Sequence, residues 1–346
     1  MSRSSLSPVD RRTVLRTTGA GLLGSTLLSA TASAEIAERW SYETDGRVVS
    51  SPTVVDGTIF VGSDDGTVSA LDADRSEPVW SYETDGRVTA SATVVNGTVY
   101  IGSADGAIYA LDATSGEEVW SFETDGAIRY SSPTVVDGTV YVGSFDDTVY
   151  ALDATSGDTV WTYETGGSIY SSPTVVDGTV FIGSNDATVY ALDADSGTPV
   201  WTTETGDSVT SSPTVADGTV FVGSDDGTVY ALEAATGGEV WTFETGRIVF
   251  SSPTVADGTV FVGSGDETVY ALEADSGTAV WTAGTAGPVE FSSPTVADGT
   301  VYVGDREQTV YAIDATSGTI RETVETGGDI QSSPTATAVE TRSSIH

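Results

Sequence analysis

Tryptophan recurs at positions 40, 80, 120, 161, 201, 241 and 281, a spacing of forty or forty-one residues. Self-similarity at that period restricts a chain to a solenoid, a propeller or a linear array, because each repeat buries its apolar face only against a neighbour. What lies between the tryptophans selects among the three. After Trp161, Ser171-Ser172-Pro173-Thr174-Val175-Val176 runs into Asp177-Gly178 and then Thr179-Val180-Phe181-Ile182-Gly183. An Asp-Gly pair between alternating β-branched runs predicts a tight hairpin, since both turn residues need positive φ. A short loop, Ser184-Asn185-Asp186-Ala187, leads to a third strand over 188–192, and Asp193-Ala194-Asp195-Ser196-Gly197 turns the chain into a fourth over 200–204. Four short antiparallel strands per repeat describe a propeller blade. Stacked helices are excluded by the pattern, and a β-helix needs a shorter period.

Lettered outward from the axis, the strands are A (Ser-Ser-Pro-Thr), B, C and D (the Trp strand). The chain opens on a lone D segment at Trp40, runs through seven A-B-C-D units and stops inside another A segment at Ser332-Ser333-Pro334-Thr335. Closing a ring with strands from both ends hides edges that would otherwise pair with other chains. The expectation is an all-β propeller of seven complete four-stranded repeats, with the surplus D and A segments overlapping at the seam. The alternative is eight positions with an incomplete last blade, and a tail from Glu340 unlike the repeat fits a truncated eighth copy. The boundaries are a leader over 1–34, the propeller over 35–339 and a tail over 340–346.

The formal charge is −38, from 51 acidic and 13 basic residues, and every basic residue is Arg. Phosphates would be repelled, which argues against nucleic acid and anionic membrane surfaces as partners. Disorder does not follow from the acidity, because 38% of residues are hydrophobic and recur in strand-length runs. Adaptation to high salt does follow: a Debye length of about 3 Å at 1 M screens the self-repulsion, and a halophilic, haloarchaeal source is expected. Cysteine is absent and Met1 is the one Met, so disulfides, thiolate nucleophiles and Cys-based metal sites are excluded together.

Asp10-Arg11-Arg12-Thr13-Val14-Leu15-Arg16 sets a twin arginine before a mildly apolar stretch from Thr17 to Ala30, and Ala32-Ser33-Ala34 supplies a small-x-small cleavage pattern. This resembles a twin-arginine (Tat) signal peptide, too short and Gly/Thr-rich to span a bilayer. The resemblance implies export of a folded protein to the cell surface or medium. No Cys follows the apolar run, so lipid anchoring is not expected, and the mature chain is expected to be a monomer without a transmembrane segment.

Ala110-Leu111-Asp112-Ala113-Thr114-Ser115-Gly116-Glu117-Glu118-Val119-Trp120 resembles the tryptophan-docking motif of pyrroloquinoline quinone (PQQ)-like repeat propellers, Ala-x-Asp-x-x-Thr/Ser-Gly-x-x-x-Trp. The motif recurs at 151–161 and 191–201, and with Glu for Asp at 231–241 and 271–281. The first copy departs at Ser76, where Gly is expected, and the last at Glu322, in the Trp position. The resemblance implies that Trp80, Trp120, Trp161, Trp201, Trp241 and Trp281 pack between blades as structural docking residues. It covers quinoprotein dehydrogenases as well as BamB-like assembly factors, which recognise partner proteins.

The quinoprotein enzymes hold their quinone against a Trp, often with a disulfide of adjacent cysteines, beside Ca²⁺ and a catalytic Asp. Here there is no Cys, and His346, the one His, is the last residue. A cofactor pocket needs unlike groups converging on one spot, whereas the A strands repeat nearly identical hydroxyls. No catalytic, cofactor or metal residue is therefore expected, and PQQ with Ca²⁺ is the less favoured reading. Asp-rich B–C loops such as Asp64-Asp65-Gly66 lack calcium-loop spacing; hairpin chemistry and surface charge account for them. Variation between copies concentrates on the face of the D–A and B–C loops. The D–A loops carry Arg47, Arg87, Arg129 and Arg247, and just before the Ser pairs they place Tyr130, Tyr170, Phe250 and Phe291, a series broken by Thr210 and Gln331. Aromatic residues with Arg are the composition of binding hot spots. These eight form the expected ligand face of a non-catalytic scaffold that takes a protein, a glycan or an anionic small molecule. The competing readings are a cap on the central channel, a PQQ-dependent dehydrogenase, and a truncated or structural repeat protein without a specific ligand.

Overall fold

The computed structural model describes residues 40–336 apart from 76 and 329, together with two short strands, Thr17–Thr18 and Glu35–Ile36, which pair antiparallel. The twin arginine, the cleavage pattern and the tail from 340 lie outside the described residues. Seven four-stranded antiparallel sheets follow one another along the chain, over 53–83, 93–123, 134–164, 174–204, 214–244, 254–284 and 295–325. The described residues contain no helix. This is a β-propeller of seven complete blades, and within each the strand order is A-B-C-D as the repeat implies.

The fourth blade shows how the local sequence builds the sheet. Strand A (Thr174–Val176) turns through Asp177 (φ 49°) and Gly178 (φ 73°) into B (Thr179–Ser184), the tight hairpin that the Asp-Gly pair predicts. B pairs with C (Thr188–Asp193), and C with D (Pro199–Glu204). In D, Ala191 faces Trp201 while Leu192 faces Pro199, so Val200 is the extra residue of a β-bulge. The bulge leaves Val200 half exposed and turns Trp201 inward.

Each inward Trp crosses to the next blade. Trp201 donates its indole N–H to the Ala234 carbonyl at 2.8 Å. Its ring lies so close to Gly237 (φ 72°) that a Cβ there would sit 2.6 Å from Cε3, so the motif glycine answers both to its backbone conformation and to the ring. Around each such Trp a separate apolar cluster joins neighbouring blades; one contains Phe181, Val189 and Trp201 of the fourth blade with Val220, Val222 and Leu232 of the fifth.

A second link between blades falls on the Asp-rich B–C loops. Asp65 Oδ2 accepts the Gly46 N–H at 3.0 Å, and Asp105, Asp146, Asp186, Asp226, Asp266 and Asp305 likewise accept an amide from the D–A turn ahead of their own blade. These carboxylates are latches between segments, a tertiary role beyond the hairpin chemistry and surface charge expected of them.

The inner ring has eight positions. Ser51 donates its amide to Ser91 Oγ, and the relation repeats through Ser132, Ser172, Ser212, Ser252, Ser293 and Ser333, which donates to Ser51 Oγ at 2.9 Å. In parallel, Thr335 donates its hydroxyl to the Pro52 carbonyl at 2.6 Å, as Thr295 does to Pro334. Trp40 docks on the first blade as every other Trp docks on its successor, donating to the Ala73 carbonyl at 3.0 Å. The surplus segments therefore do not overlap on a seven-position ring. They supply the innermost and Trp-bearing parts of an eighth position beside seven complete blades. The apolar packing is divided there, into a cluster of Tyr302, Val310 and Ala312 on one side and one of Ile59, Val61, Leu71 and Ala73 with Trp40 on the other.

Candidate functional site

The A strands line a central cavity of about 360 Å³. Its wall carries the eight ring serines, and above them a rim of Val49, Thr89, Tyr130, Tyr170, Thr210, Phe250, Phe291 and Gln331. A hydroxyl both donates and accepts, so the serines tie inner strands that have no further ladder partner. Proline follows the ring serine in every inner segment but the second, where Ala92 stands, and removes a backbone donor there.

The four expected aromatic residues converge at this rim, and they do not stand around an open mouth. Tyr130 stacks on Tyr170 (5.6 Å between centroids, 14° between planes) and on Phe291 (6.1 Å, 22°), and Phe291 stacks on Phe250 (5.4 Å, 27°). Phe145 extends the series at 4.4 Å from Tyr170. Tyr130 belongs to the third inner segment and Phe291 to the seventh, so in a ring of eight they approach from opposite sides and bridge the axis.

The cause lies in two single-residue insertions. Successive ring serines are forty apart except between Ser91 and Ser132 and between Ser252 and Ser293, where the spacing is forty-one. The glycine of strand B packs against Val88 and then Ile128, and against Val249 and then Val289, each forty apart. The extra residue in each case falls immediately afterwards, at Arg129-Tyr130 and Glu290-Phe291. At the first, Ser131 donates to the Arg129 carbonyl at 2.7 Å across Tyr130, whose φ is 62°. That is a tight three-residue turn with its central residue in the left-handed region, an outlier for an aromatic side chain.

Both insertions carry a charged residue that is held by the B–C loop of its own blade. Arg129 places its guanidinium 5.7 Å from the centre of Phe145. Glu290, 7% exposed, pairs with Arg306 at 2.8 Å. Elsewhere on the mouth Arg47 pairs with Asp64 at 2.9 Å, while Arg87, Arg129 and Arg247 form no ion pair among the described residues. Thr210 donates its hydroxyl to Asp225 at 3.0 Å. Burial pushes the Asp225 carboxyl up to about 6, against the pull of that bond and with help from Asp207 and Asp226. The Thr89 hydroxyl, on a residue 7% exposed, has no hydrogen-bond partner.

Of the expected ligand-face residues, Tyr130, Tyr170, Phe250 and Phe291 form one stack, and Arg129 joins it through Phe145. Arg47, Arg87 and Arg247 lie on exposed turns outside the cavity lining. The docking tryptophans sit between blades, away from the channel. Sequence reasoning passed over Phe145, Asp225, the Glu290–Arg306 pair and the meaning of the two longer spacings. Phe145 was visible as the aromatic residue where other copies carry Asp, Ala, Asn, Gly or Arg.

Aromatic rings occupy the axis, and no group of three or more His, Cys, Asp or Glu among the described residues could hold a metal ion.

Seven Trp-docked blades around a hydroxyl-lined channel define a PQQ-like repeat propeller. The family described as the β-propeller of β-alanine-activating enzyme matches residues 97–345, and the chain belongs to that propeller family. The family described as outer membrane protein assembly factor BamB matches residues 2–127. No curated protein matches the chain. Among solved structures, BamB from Moraxella catarrhalis is 26% identical, with a TM-score of 0.69 over 80% of this chain and 87% of that one. The computationally designed Ika8 protein is 17% identical, with a TM-score of 0.74 over 83% and 91%. The quinohemoprotein alcohol dehydrogenase from Comamonas testosteroni is 17% identical, with a TM-score of 0.73 over 85% and 69%. The last two likenesses show the shared fold alone.

Proposed function

We propose that this protein is a non-catalytic scaffold, exported by a halophile, that binds a partner polypeptide through the mouth formed by its D–A and B–C loops. The observation that carries the reading is the aromatic stack across the axis. It is the place where otherwise near-identical repeats differ, and they differ by insertion as well as by substitution. Loops on a rigid frame are where binding groups sit, and a cluster of aromatic residues with Arg beside it is the composition of an interface hot spot. The match to BamB, an outer membrane protein assembly factor, supports a protein-binding role at the cell envelope. The twin-arginine leader supports export, and the charge of −38 supports life in high salt.

The test is a variant with Tyr130, Tyr170, Phe250 and Phe291 all replaced by Ala, compared with the parent by cross-linking in the exported fraction of its source. Loss of a specific cross-linked partner with the β circular dichroism of the parent retained is expected. An identical set of partners rejects the mouth as the binding face.

A further inference from the structure

We infer that the aromatic bridge is a ring-exchange site: an acidic polypeptide segment enters the mouth and its aromatic side chain takes the place of Tyr130 between Phe291 and Tyr170. The inference rests on the polypeptide-binding reading above and names what that partner must carry.

Four observations converge. The Tyr130 ring is the central member of the stack, with Phe291 at 6.1 Å on one side and Tyr170 at 5.6 Å on the other. Its backbone is held at φ 62° in a three-residue turn, a conformation that costs free energy and persists where the surroundings over-determine it. The ring that leaves most readily is the one whose own backbone relaxes when it does. Below it lies a cavity of about 360 Å³, within the range of small-ligand sites. The Thr89 hydroxyl, buried and unpartnered, lines that cavity.

The chemistry of the occupant follows from what the mouth leaves unsatisfied. The inner faces of the stacked rings are turned toward one another, so a sugar, which needs an open ring face, gains little. A planar side chain that replaces a ring recovers the whole stacking arrangement. In a chain with 51 acidic residues, the described arginines without a carboxylate partner are Arg87, Arg129 and Arg247, all on D–A loops of this face. They suit contact with carboxylates of an incoming segment, and in concentrated salt the repulsion from the rest of the chain is screened beyond such contacts. Such a segment is acidic and carries Trp, Tyr or Phe.

The experiment uses the full chain in concentrated KCl and two dye-labelled peptides, acetyl-Glu-Asp-Trp-Asp-Glu-amide and the same peptide with Leu for Trp, read by anisotropy. The Trp peptide is expected to bind at least tenfold more tightly than the Leu peptide. Tyr130→Gly, which suits the backbone conformation and vacates the slot, is expected to strengthen Trp-peptide binding at least tenfold. Phe291→Leu is expected to weaken it by a similar factor, with both variants keeping the β circular dichroism of the parent. Equal affinity for the two peptides, or no gain in Tyr130→Gly, overturns ring exchange. If the peptides fail but labelled oligogalacturonate binds and loses affinity in Phe291→Leu, the mouth is a glycan site and the polypeptide reading falls with the inference. If a cross-linked protein partner is lost in the fourfold alanine variant while Tyr130→Gly is neutral, the scaffold reading stands and ring exchange alone is rejected.

Discussion

Asp225 is the carboxyl at the mouth that burial sets apart from the other loop acids. Its carboxyl is pushed up to about 6 by burial, so between about pH 4 and 6 the folded chain keeps a proton that the unfolded chain has released. Stability from this group is therefore greatest below pH 4 and is lost as pH rises through 6. Asp225→Asn keeps an oxygen for the Thr210 hydroxyl and removes the charge. It is expected to melt above the parent at pH 7.5 and level with it at pH 4, as thermal scans at constant salt would show. A larger gain at pH 4 would contradict the burial argument. Neither the raised carboxyl nor its partner was legible in the sequence, because Asp225 reads as one more acidic loop residue. Its burial comes from neighbouring segments brought over it by the ring. Tyr130 differs: its aromatic character and place before the Ser pair were plain, and only the inserted residue's effect on the backbone was hidden.

At the scale of the blade, two local devices do the joining. The Trp of strand D docks on the next blade's motif glycine, a relation that the repeat spacing announces. The second device, the B–C loop carboxylate, is a property of pairs of blades. Asp226 accepts amides from Thr228 (2.7 Å) and Gly206 (2.8 Å) and the Tyr230 hydroxyl (2.6 Å). Tyr230 is pushed up to about 12, by burial first and then by the Asp226 carboxylate. Asp226→Ala leaves these donors without their acceptor and is expected to cost about 2 kcal/mol in denaturant unfolding. Asp217→Asn is the control. Asp217 sits at φ 47° in a tight hairpin, a conformation Asn adopts as readily, and little change is expected. Equal costs at the two sites would mean that Asp226 contributes only turn chemistry. The hairpins themselves were fully legible, since Asp-Gly is a short-range signal, whereas the latch joins residues twenty apart and needs the folded neighbour to exist.

For the whole molecule, the decisive quantity is the number of inner positions. Residues 332–335 close the ring through Ser293 to Ser333, Ser333 to Ser51, Thr295 to Pro334 and Thr335 to Pro52. At about 1 kcal/mol for each bond, removing residues 332–346 is expected to lower stability by roughly 4 kcal/mol. Amide exchange should accelerate first in the inner strands of the first and seventh blades, and uniform acceleration would show that closure lies elsewhere. Eight positions also put the third and seventh segments opposite each other, which is why two separate insertions meet on the axis. The sequence by itself determined the repeat, the four-stranded blade, the tight hairpins and the Trp-bearing strand, because each is written in contacts a few residues long or in a period repeated seven times. Only the tertiary structure decided that the ring has eight positions, that the loop carboxylates latch neighbouring segments, and that Tyr130 and Phe291 touch. Those facts depend on closing a circle, and closure joins residues whose separation along the chain carries no local signal.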